Sequence, residues 1–128
     1  MNYWWLVSGA IAVISTFIHL FMGQAGVIKP FLKCDLDAIP MAVLHVCWHI
    51  VSVILFVSAI MLLYLGANPI SVGSKIVALF IGGQFVAYAI LFLTFSFLGN
   101  WSNKLFVLPQ WTLLLPIGVL AIIGCLAP

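Results

Sequence analysis

Every charged side chain in this sequence lies outside four long apolar runs. The runs cover residues 3–22, 41–65, 76–98 and 105–126, and none contains an Asp, Glu, Lys or Arg. The charges sit between them, at Lys29, Lys33, Asp35, Asp37, Lys75 and Lys104. A helix crosses a hydrocarbon core of roughly 30 Å with about twenty apolar residues, and each run is long enough. The chain is 66% hydrophobic and 5% charged, whereas a soluble domain is about a quarter charged. A water-soluble fold of this size could not hide so much apolar surface, because small domains bury only about two-thirds of what they expose when unfolded.

Lipid as solvent restricts the backbone to helices or closed barrels. Barrel strands alternate apolar and polar residues over about ten positions, but these runs are apolar on every face. The sequence therefore predicts an all-α, polytopic membrane protein. Residues 1–128 form a single domain of four transmembrane helices in an antiparallel bundle. The first run lacks the basic flank and small-residue cleavage site of a signal peptide, so it is read as a span.

Trp4, Trp5 and Trp101 fall at span ends, where indole rings favour the headgroup layer. Asn68-Pro69 and Gly99-Asn100 mark two short turns. The first connection, residues 23–40, is longer, and reads equally as a plain loop or an interfacial segment. Pro30 within it is expected to end or kink any helix continuing from the first span. Connections one and three hold Lys29, Lys33 and Lys104 against Lys75 and the amino terminus on the other side. The positive-inside bias then favours cytoplasmic connections one and three, with both termini outside.

Polar groups inside spans are costly and ask for an explanation. His45 and His49 lie four residues apart, hence on one face of the second helix. His19, near the end of the first span, falls at the same depth. On the first helix, Ser8, Ala12, Ser15, Thr16, His19, Gly23 and Gly26 recur at helical spacing as a small, polar stripe suited to close helix contact. Ser52 and Phe56 continue the His45/His49 face. Gln24, Gln84, Tyr88 and Gln110 are further candidates, so the supporting polar layer is Ser15, Thr16, Gln24, Ser52, Gln84, Tyr88 and Gln110.

Three readings of His19, His45 and His49 stay open. Two histidines at i and i+4 with a third from a neighbouring helix suit a transition metal, although no carboxylate in the spans supports the rings from behind. A four-helix bundle can also hold haem b between two axial imidazoles. Otherwise the histidines are neutral and hydrogen-bond the helices together. A proton or other small-ligand pathway is a further use of imidazole. Trp48, beside His49, is expected as a lipid-facing anchor rather than a platform for a ligand.

Several chemistries are excluded or disfavoured. Four scattered lysines make no basic stripe for nucleic acid. Cys34, Cys47 and Cys125 form no disulfide framework and read as inert thiols. There is no Ser-His-Asp set, Cys-x-x-Cys pair, phosphate loop or paired carboxylate. The Gly82-Gly83 pair and Gly118 with Gly124 suggest close helix packing, and Pro116 a kink in the last span.

His19 with Gly23 and Pro30, Cys47-Trp48-His49, and Pro109-Gln110-Trp111 together resemble a loose group of small bacterial four-span inner-membrane proteins with no assigned activity. That resemblance implies a bacterial inner membrane as the location and no particular substrate. The sequence thus leaves two functions: a membrane protein whose His-lined interior binds a transition metal, haem or another small ligand, or a structural or accessory subunit without chemistry of its own. The expected partners are the lipid bilayer, other membrane subunits or further copies of the chain.

Overall fold

The computed structural model of the protein describes residues 1–127 and contains no strand among them. Helix α1 spans Tyr3–Ile18 and continues through a π-helical segment, His19–Ile28, into the short α2, Lys29–Phe31. Helices α3, α4 and α5 span Ala38–Ala67, Val72–Leu98 and Trp111–Leu126. Three continuous helical stretches, Tyr3–Phe31, Ala38–Ala67 and Val72–Leu98, are long and apolar enough to cross a membrane.

The helix boundaries differ most from the sequence expectation at two places, while α3 at both ends and α4 at its start run two to four residues past the expected bounds, which brings Lys75 into α4. The first connection is mostly helical, because the chain remains wound through Phe31. Pro30 sits within the last short turn, so the helix runs through it and stops one residue later, after consuming half of the connection. Ahead of it the winding loosens. Ser15 and Thr16 return their hydroxyls to the carbonyls of Ile11 and Ala12, and such back-bonding bends helices. From His19 the turns widen to the π form, and Lys29 N–H bonds to Gln24 O, five residues back.

The last helix is shorter than the apolar run that encodes it. It begins at Trp111, not at residue 105. Its 16 residues cover about 24 Å at 1.5 Å per residue, less than the hydrocarbon thickness. Pro109 has no N–H to donate to a preceding turn, and residues 101–110 take irregular turns instead. Side chains satisfy the carbonyls released there. Trp111 Nε1 donates to Leu105 O at 2.8 Å, Thr112 Oγ1 to Pro109 O at 2.7 Å, and Lys104 Nζ to Phe97 O at 3.3 Å.

Helix α1 packs on α3 and α5, and α5 packs on α4. The central core joins Ala12, Leu55, Ala59, Leu62, Ile81, Phe85, Ala89, Leu114, Ile117 and Ala121, with Phe85 fully enclosed. The α4–α5 contact is close enough that a Cβ on Gly82 would lie 2.9 Å from Gly118 O, and one on Gly118 would lie 2.7 Å from Gly82 O. By contrast, α3 and α4 barely touch although they are consecutive. The turn between them is fixed by a capping box, in which Ser71 and Ser74 satisfy each other's N–H groups.

The amino terminus ties three helices together. Asn2 caps α1 by accepting from Trp5 N–H, donates Nδ2–H to Gly124 O at 2.7 Å, and donates its backbone N–H to Gly66 O at 2.8 Å. Trp5 Nε1 donates to Ala121 O at 3.0 Å, and Ser8 Oγ to Ile117 O at 2.7 Å. Trp5 is wholly buried, which corrects its reading as a membrane-interface anchor. Trp4 and Trp101 are exposed, at 45% and 49%.

Candidate functional site

The π-helical segment and the start of α3 place the histidines. The ring of His19 stacks on that of Trp48, with centroids 3.8 Å apart and planes 18° from parallel. Its Nε2 also lies 3.4 Å from Trp48 O. Gly23, one turn further along, provides the space: any Cβ there would collide with the Trp48 indole. Trp48 is therefore half-buried between the two helices, not a lipid-facing anchor. Ser52 Oγ donates to the same Trp48 carbonyl at 3.1 Å.

His45 and His49 stand side by side, with ring centroids 4.9 Å apart and planes tilted by 44°. His45 is half-buried and His49 is exposed. Neither ring is hydrogen-bonded among the described residues, in contrast to His19. The pair thus lies on the flank of the bundle and does not line a closed interior. Among the described residues, no group of three or more His, Cys, Asp or Glu side chains is gathered to hold a metal ion. His19 is engaged with Trp48, while His45 and His49 are the free pair.

The other polar candidates do not form one layer around the histidines. Ser15 and Thr16 are buried and bonded within α1. Gln24 is half-buried in the π segment, with its carbonyl taken by Lys29 N–H. Gln110 is exposed before α5, and its carbonyl accepts from Leu113 and Leu114 N–H. Gln84 donates to the Tyr88 hydroxyl and lines a cleft beside Ser58 and Met61. Ser58 lies nine residues beyond His49, about two and a half turns away at 3.6 residues per turn. Phe56, expected to extend the histidine face, is 57% exposed.

Sequence reasoning missed Asn2, Ser58 and Ser96. Asn2 precedes the first apolar run, and its cap became visible only with the chain folded. Ser58 is 7% exposed and shares neither a face nor a spacing with the histidines. Ser96 is fully buried, and its Oγ has no hydrogen-bond partner among the described residues. Cys34, Cys47 and Cys125 are all unpaired, with Cys125 Sγ near the carbonyls of Lys75 and Ala121. No protein-family model, curated protein or solved structure matches this chain.

Proposed function

We propose that the chain is a multi-pass integral membrane protein that binds a transition metal ion through the paired imidazoles of His45 and His49, with the remaining coordination positions filled from outside the chain. The observation that carries this reading is the free state of that pair: two rings on successive turns of α3, 4.9 Å apart, with no partner among the described residues. Imidazole is a common metal ligand, and histidines at i and i+4 project from one helix face. The engaged ring of His19 leaves it outside the ligand set.

The proposed setting is an antiparallel four-helix bundle in a bacterial inner membrane, with connections one and three in the cytoplasm. Twenty residues of α3 counted back from Leu65 cover roughly 30 Å and end near His45. On that count His45 would lie at the boundary between hydrocarbon and headgroups, with His49 one turn inside it, where an ion can still enter from water. Helix α5, at 16 residues, is shorter than the hydrocarbon core, so in this setting the bilayer thins locally around it.

A second reading is an accessory subunit, favoured by the bareness of α3. No residue of that helix before Leu55 is buried, so a neighbouring membrane protein could cover this half and hydrogen-bond the two rings. Metal analysis and a visible spectrum of the protein purified in detergent separate the readings. The metal reading expects bound transition metal near one per chain, lost in His49→Gln, which keeps hydrogen bonding but is a poor ligand. A Soret band would assign haem instead. The absence of both from the wild type after metal loading would favour the accessory reading.

A further inference from the structure

A lateral cleft of about 330 Å³ opens between α3 and α4, lined by Val53, Val57, Ser58, Met61, Phe80 and Gln84 among others. It exists because these two helices barely touch, although each packs closely on another helix. Its volume is at the lower end of small-molecule pockets. Most of its wall is aliphatic or aromatic, and no lining residue is charged.

Two polar groups interrupt that wall. Ser58 is more than nine-tenths buried, at 7% exposure. Ser15, Thr16, Ser52 and Thr94 each return their hydroxyl to the carbonyl four residues back. Ser58 does not, and its hydroxyl has no partner among the described residues. Gln84 gives one amide N–H to Tyr88, which leaves its second N–H and its carbonyl oxygen available. Gln84 sits near the middle of α4, Val72–Leu98, and hence near the bilayer midplane if α4 spans it. Polar side chains at that depth face a protein interior or a functional cavity.

We propose that this cleft binds a lipid-soluble molecule with a neutral carbonyl or hydroxyl head, held by Ser58 and Gln84 with its apolar tail along the α3–α4 walls. A carboxylate or phosphate is excluded because burying a charge without a counter-charge is strongly unfavourable. A simple acyl chain would fill the volume but leave the Ser58 hydroxyl unsatisfied, which costs free energy in an apolar surrounding. The polar groups suit a head that either accepts or donates. Ring-carbonyl lipids such as prenylated quinones and hydroxyl-bearing lipids such as diacylglycerols both meet this requirement. The inference rests on the membrane reading of the chain and not on the histidine pair.

The test uses the full chain in phosphatidylcholine nanodiscs, labelled with hexadecanol carrying a diazirine in its chain and mapped by peptide mass spectrometry. The label should fall on residues 53–61 and 77–84. A decyl-substituted benzoquinone, dioctanoylglycerol or both should compete with it, and whichever competes identifies the source of the head. Hexadecane at the same concentration should not compete. Ser58→Ala and Gln84→Leu should each weaken competition about three- to tenfold, the effect of one hydrogen bond. Equal competition by hexadecane, or competition by neither polar ligand, would overturn the proposal on the wild type alone. Failure to enter nanodiscs would instead refute the membrane reading.

Discussion

The two ends of this molecule use their polar groups in opposite ways. At the terminal end, Asn2, Trp5 and Ser8 donate to Gly124, Ala121 and Ile117 on α5, and all three donors are buried. At the other end, His45 and His49 make no hydrogen bond among the described residues, and no residue of α3 before Leu55 is fully buried. One end is closed by its own side chains, whereas the other leaves donors and acceptors open to the surroundings. Side chains that finish the fold are joined within it, and the unpartnered pair at the other end is what the metal proposal rests on.

The largest expected effect is at the closed end. Trp5→Ala removes a wholly buried indole and its bond to Ala121 O, and should destabilise the protein by about 3 kcal/mol or more. Reversible unfolding from mixed micelles measures it. A change below about 1 kcal/mol would show that this end is not the stable one. Gly118→Ala comes next. Its Cβ meets Gly82 O and the Val86 backbone N within 2.8 Å, and overpacking of this kind costs about 1–3 kcal/mol. The same unfolding assay checks it, and an unchanged midpoint would mean that α4 and α5 separate easily.

Within the open end the histidines should differ from one another. His19→Ala loses the stack on Trp48, an aromatic contact worth about 1 kcal/mol. His49→Ala removes an exposed side chain with no bond among the described residues, and should stay within about 0.5 kcal/mol of wild type. Equal losses would erase the distinction drawn between an engaged ring and a free pair. Thermal unfolding in one detergent compares the two variants directly.

Much of the helical frame was legible in the sequence, because the segregation of charge from apolar runs is a property of composition along the chain. The small, polar stripe reads correctly as an inward face through Ser8, Ala12, Ser15 and Thr16, weakens at half-buried His19 and Gly23, and fails at Gly26, which is exposed with open space around it. The helix ends were less legible. Nothing in the hydropathy of residues 105–110 separates helix from turn, and Pro109 decides it locally. The site was legible only as residue types and depth. Periodicity puts His45 and His49 together, but it cannot tell that Trp48 turns inward over Gly23 to hold His19. Ser58 and Gln84 both line a cleft that depends on how far α3 and α4 splay, which only tertiary packing determines.

The central claim is that His45 and His49 form a ligand pair that His19 does not join. Electron paramagnetic resonance of the copper(II)-loaded protein addresses it most directly, since nitrogen hyperfine structure counts coordinated imidazoles. Wild type and His19→Gln should give the same spectrum, with two nitrogen ligands. His45→Gln and His49→Gln should each lose one of them or fail to bind copper. A spectrum altered by His19→Gln as strongly as by His49→Gln, or one without nitrogen coupling in the wild type, would contradict the account.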